Sequence, residues 1–169
     1  KLQERALWTD LMKLTQLTSL DVPHYLPFPD EFVQWMKTSQ ISVMPTYIAT
    51  RSLEPLLAQA LPAMERLRSM AFHRNFDESG DAEPLDWMAP ILQQCTQLTQ
   101  LEMDITPTEI PLFISALKGL RNLVELTFIT HMEDNLPTDF FTLHFPNLTR
   151  LELPMMITDS NMSALADFL

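Results

Sequence analysis

Apolar side chains recur along this chain in one short form, apolar-x-x-apolar-x-apolar. Five segments carry it: Leu17-Thr-Ser-Leu20-Asp-Val22, Leu67-Arg-Ser-Met70-Ala-Phe72, Leu98-Thr-Gln-Leu101-Glu-Met103, Leu123-Val-Glu-Leu126-Thr-Phe128 and Leu148-Thr-Arg-Leu151-Glu-Leu153. The last three open 25 residues apart, Leu67 lies 31 before Leu98, and the first gap is 50. That gap leaves room for one more copy. Thr38-Ser-Gln-Ile41-Ser-Val43 supplies it, with Thr38 in place of the first apolar residue. The later anchors alternate with other residues, as in a half-buried strand. Six strands are therefore predicted, starting near Thr18, Ser39, Arg68, Thr99, Val124 and Thr149.

Between these segments the apolar period becomes helical. Pro29 to Lys37 carries Phe32, Val33 and Met36, with Asp30 placed to cap. Leu53 to Leu67 carries Leu53, Leu56, Leu57, Ala60, Leu61 and Met64. Pro84 to Cys95 opens with proline, which a first helical turn tolerates. Thr108 and Pro111 open a helix through Leu117, with Gly119 as its stop. Thr138 to Leu143 is shorter, and Thr158-Asp159-Ser160 precedes a capped amphipathic helix ending at Leu169. Strands that alternate with helices at a near-constant period call for parallel pairing through crossovers. Such a period means a stacked solenoid rather than a wound open sheet. Six strands at about 4.8 Å would make a ladder roughly 24 Å wide.

Two stretches point to a family. Ile91-Leu-Gln-Gln-Cys95-Thr-Gln-Leu98-Thr-Gln-Leu101-Glu-Met103 resembles the cysteine-containing leucine-rich repeat, L-x-x-C-x-x-L-x-x-L-x-L. Ile157-Thr158-Asp159-Ser-Asn-Met162-Ser-Ala-Leu165-Ala166 is similar to the I-T-D-x-x-L-x-x-L-A stretch that follows its strand. The resemblance runs from about Leu11 to Leu169. Leu14, Trp35, Met64, Leu120 and Phe145 stand at the cysteine position elsewhere, and Asn75, Thr46 and Thr106 at the later asparagine position. It implies an α/β leucine-rich-repeat solenoid, a right-handed horseshoe arc with a parallel β-sheet on the concave face and helices on the convex face. Residues 1–169 would form a single domain of about six repeats, a segment of a longer array. Repeats of this type occur in F-box substrate receptors of cullin-based ubiquitin ligases, ribonuclease-inhibitor-like proteins, signalling regulators and bacterial effectors. The expected function is a protein–protein interaction module without chemistry of its own. The alternatives are the substrate-recognition domain of an F-box-type ubiquitin ligase receptor, whose F-box is not apparent in this chain, or a bacterial effector of leucine-rich-repeat type.

Charge narrows the partner. The chain of 169 residues carries a net charge of −11, which repels nucleic acid and anionic lipid and favours a protein with a basic surface. No apolar run approaches the roughly 20 residues that span a bilayer. Cys95 is the only cysteine, so an intrachain disulfide is ruled out and an intracellular location, cytoplasmic or nuclear, is expected. Oligomeric state is left open, since exposed solenoid ends could stack.

The strand pattern also selects candidate binding residues. With the later anchors pointing into the core, the residues beside them line the open face. For the degenerate strand these are Gln40, Ser42 and Met44. The partner-binding candidates are Asp21, His73, Gln100, Glu102, Asp104, Glu125, Thr127, Arg150 and Glu152. Glu102, Asp104, Glu125 and Glu152 gather like charges that a basic ligand would relieve, while Arg150 could itself neutralise Glu125 or Glu152. His73 to Glu83, with Asp77, Glu78, Asp81 and Glu83, reads either as a functional loop or as an acidic tether.

Nothing in the pattern demands catalysis, metal or cofactor. Cys95 has no histidine nearby and reads as core. His24, His73, His131 and His144 lack metal-ligand spacing. Glu102 and Glu125 could act as an acid–base pair, but no nucleophile accompanies them. Asn147-Leu-Thr149 matches a glycosylation sequon yet coincides with the entry to a repeat strand. Trp8, Trp35 and Trp87 fall on presumed helices and read as packing residues.

Overall fold

A computed structural model describes residues 8–21, 29–48, 58, 60–74, 86–105, 109–129 and 138–153. Five parallel strands form one sheet in sequential order: β1 (Val43–Ile48), β2 (Ser69–Arg74), β3 (Gln100–Met103), β4 (Glu125–Phe128) and β5 (Arg150–Glu152). The chain is an α/β protein with a parallel sheet and helices between its strands.

Each strand is entered through one repeated piece of backbone. The N–H of the first apolar anchor bonds back three residues: Leu67 to Met64 O, Leu98 to Cys95 O, Leu123 to Leu120 O and Leu148 to Phe145 O, at 3.0–3.2 Å. The carbonyl one residue beyond the anchor then accepts two N–H groups of the next repeat. Arg68 O takes Thr99 N and Gln100 N, Thr99 O takes Val124 N and Glu125 N, and Val124 O takes Thr149 N and Arg150 N. A carbonyl has two lone pairs, so this arrangement satisfies the turn donors without a side chain.

Side-chain amides at the position before the first anchor add a second ladder. Asn122 Nδ2 donates to Thr96 O (2.9 Å), Asn147 Nδ2 to Arg121 O (3.1 Å), and Gln97 Nε2 to Leu61 O and Met64 O (3.1 and 3.2 Å). Arg66, at the equivalent place one repeat before Gln97, donates to Gln40 Oε1 of the repeat before it. These amides staple each turn to the one before. Asn147, half of the sequon, is thus used structurally.

The degenerate strand is the main correction. It pairs three residues later than its apolar pattern suggests: Val43 lies opposite Ser69, Met44 opposite Met70 and Thr46 opposite Phe72. The true copy is Ile41-Ser-Val-Met44-Pro-Thr46, with fully buried Ile41 as first anchor. Val43, expected to point inward, is 40% exposed beside Ser69. Thr46 therefore stands at an anchor position, not the asparagine one, and Thr38 rather than Trp35 occupies the cysteine position. Among the described residues, the expected first strand is reduced to an isolated bridge, Ser19 to Val43. Pro45 in β1 has no N–H to donate, which suits a strand near the sheet's edge.

Helices follow the predicted stretches with shorter bounds. Helix α1 (Asp30–Thr38) buries Phe32, Val33 and Met36 and keeps Asp30 and Glu31 in its first turn and Lys37 in its last, as its dipole favours. Asp30 is its first residue rather than a side-chain cap; Pro29 holds the cap position. Ser39 closes the other end, donating from Oγ to Met36 O at 2.8 Å. Trp8, on helical residues 8–12, packs on Phe32 at 4.4 Å between ring centroids, and Phe32 stacks on half-buried Trp35 at 5.3 Å. The Leu53–Leu67 stretch ends in a 3-10 turn at Leu61–Ala63, its first five residues lying outside the described ones. Helix α2 (Met88–Leu92) buries Met88, Ala89, Ile91 and Leu92. Helix α3 (Ile110–Gly119) buries Ile110, Phe113, Ile114, Ala116 and Leu117. Thr138–Thr142 is a second 3-10 turn. The helix expected after Thr158 lies outside the described residues.

Gly119 is the last helical residue rather than a left-handed stop. Leu120 follows with φ −88°, and its N–H returns to Leu117 O. A Cβ on Gly119 would meet Gln93 O at 3.4 Å, an ordinary contact. Gly119→Ala is therefore expected to leave stability unchanged or raise it by up to about 1 kcal/mol, through better helix propensity. Urea denaturation checks this; a loss above 1 kcal/mol would mean that the backbone needs glycine there.

One core joins the helices to one face of the sheet. Met70, Phe72, Leu101, Met103, Leu126 and Phe128 project into it from the strands, against Met88, Leu92, Phe113, Leu117 and Phe140. The rings of Phe128 and Phe140 meet edge to face at 5.6 Å, and Phe140 meets Phe141 similarly at 5.7 Å. The residues between the strand anchors stay half-buried or exposed on the opposite face.

Candidate functional site

Because the strands pair in register, the open face is a grid. One row reads Val43, Ser69, Gln100, Glu125, Arg150; the next reads Pro45, Ala71, Glu102, Thr127, Glu152. Asp104 follows β3 and Ile129 follows β4, held by Asp104 N to Phe72 O and Ile129 N to Met103 O, both 2.9 Å. Eight of the nine sequence candidates thus lie on β2–β5 or directly after β3. Asp21 does not join them. It lies beyond the bridge at Ser19, so β1 and β2 separate it from Glu102. Gln40 and Ser42 precede β1 rather than lining it, and Met44 pairs in register with the anchor Met70; Val43 stands on the open face.

Arg150 pairs with two of the acids. Arg150 donates from Nε and Nη2 to Glu152 Oε1 at 3.0 and 2.5 Å, and its Nη1 lies 3.8 Å from Glu125 Oε2 on β4. The hydrogen bond to Glu152, then the charges of Glu152 and Glu125, hold the guanidinium proton more firmly than usual. His73 Nε2 lies 3.6 Å from Glu102 Oε1 on the neighbouring strand, an ion pair only when the imidazole is protonated. All of these side chains are partly exposed: 58% for Arg150, 49% for Glu152, 41% for Glu102, 35% for Glu125 and 26% for His73. Water reaches them, so the pairs are weak and exchangeable. The face is therefore less repulsive than four adjacent carboxylates would be.

Val43 and Ile129 add exposed apolar surface to the same face, at 40% and 39%. The apolar character of Val43 suits an anchor equally well, so the pattern alone does not place it on this face. The amide ladder has a sequence signal of its own, since an amide precedes the first anchor at Gln40, Gln97, Asn122 and Asn147. Beside that ladder, at the strand entries, runs a shallow groove of about 560 Å³ lined by Arg68, Gln97, Thr99, Asn122, Asn147 and Thr149.

Among the described residues, no His, Cys, Asp and Glu side chains cluster so as to hold a metal ion, and no helix is long and apolar enough to cross a membrane. His24 and the His131–Asp134 cluster lie outside those residues, as does most of the acidic stretch after His73. Cys95 is fully buried, its Sγ 3.4 Å from Ile91 O, and burial pushes its thiol up from 9.0 to about 12. Without thiolate, it should resist thiol reagents until the chain unfolds; fast native labelling would contradict that. Its linkage to pH has a definite sign. Above pH 9.0 the unfolded chain loses the thiol proton while the folded chain keeps it. This stabilisation is therefore complete below 9.0 and lost between 9.0 and about 12. Cys95→Ala should flatten that part of the stability–pH curve in a urea series; an unchanged slope would refute the assignment.

The sequence matches no protein-family profile, and no curated protein is detectably similar to it.

Proposed function

We propose that this chain is a leucine-rich-repeat solenoid, an arc with its sheet on the concave side, and that it binds a protein with a basic surface through that face. The observation that carries this reading is the repetition of the strand entry. The same turn, shared carbonyl and stapling amide recur from repeat to repeat, and the strands follow one another in order. Helices need about 10 Å of width where strands need about 4.8 Å, so stacking such units favours curvature toward the sheet. The concave face then offers Glu102, Asp104, Glu125 and Glu152 to cationic side chains, with Val43 and Ile129 as apolar contacts.

Arg150 supplies the test. It occupies two of the carboxylates that a basic partner would use, so the partner has to displace it. Immobilised chain is expected to retain basic proteins that salt elutes. Arg150→Ala should tighten that binding about two- to fivefold, the scale of an exposed ion pair, and should raise the salt needed for elution. Ser115→Lys, on exposed helix surface, should change neither. Weaker binding by Arg150→Ala would mean that Arg150 itself contacts the partner and that the acids are not the recognised feature.

A further inference from the structure

We draw no further inference here: the strongest candidate, the shallow groove at the strand entries lined by Arg68, Gln97, Thr99, Asn122, Asn147 and Thr149, carries nothing because its amides and hydroxyls already bond to the preceding repeat's backbone and nothing in the structure shows what covers it.

Discussion

Replacing Phe128 by alanine is expected to destabilise this protein by about 3–5 kcal/mol, the range for truncating a buried phenylalanine. Phe128 is 1% exposed, ends β4, and meets the ring of Phe140 from the following 3-10 turn. Its removal opens a cavity between the sheet and that turn, and the fully buried Phe140 has little freedom to fill it. Domains of this size have only about 5–15 kcal/mol in hand. The thermal midpoint should fall by roughly 6–20 °C. Two variants bracket the effect: Phe141→Ala, at a half-buried ring, should cost clearly less. Leu112→Ala, at a leucine 47% exposed on α3, should stay within about 0.5 kcal/mol. Equal losses in all three would contradict a core in which Phe128 is fully packed.

The second large effect concerns binding. Reversing three charges on the open face (Glu102→Lys, Asp104→Lys and Glu125→Lys) should slow association with a captured basic partner by about 10- to 1,000-fold at low salt. Net charge alone would produce some slowing. The control therefore makes an equal change elsewhere: Glu31→Lys, Glu65→Lys and Asp139→Lys, all at exposed positions off the sheet. The first triple should slow association far more than the second. The gap should shrink as salt shortens the screening length to about 8 Å near physiological ionic strength. Stopped-flow or surface-resonance rates measure both, with circular dichroism to verify folding. Equal slowing by the two triples would show that the sheet face is not the interface.

Much of the scaffold was legible because repetition multiplies weak signals. Any one apolar-x-x-apolar-x-apolar stretch is ambiguous, but three at a spacing of 25 residues are not, and β3, β4 and β5 begin within a residue of their predicted starts. Helix positions were readable from burial period, whereas their ends were not. Asp30 and Gly119 both have the chemistry of terminal residues, yet backbone bonds close those termini instead. The site was half legible. Alternation placed Gln100, Glu102, Glu125, Thr127, Arg150 and Glu152 on one face, since a strand's side chains must alternate. It could not decide where Asp21 falls, because that depends on how far the first segment pairs.

By itself, then, the sequence determined that the segments opening at Leu67, Leu98, Leu123 and Leu148 become strands, which faces of the helices are buried and which residues of those strands can share a sheet face. These follow from local periodicity and from the cost of burying polar groups. Only the tertiary structure decided the register of β1 and the pairing of the charges. Ile41, Val43 and Met44 are all apolar, so two registers satisfy the pattern equally. The choice comes from neighbours across the sheet, where Ser42 O receives Arg68 N and Ser69 N and Gln40 meets Arg66. Likewise, alternation puts Arg150, Glu125 and Glu152 side by side, but side-chain rotation determines which carboxylates the guanidinium takes. That rotation responds to distances across β4 and β5, which no local pattern encodes.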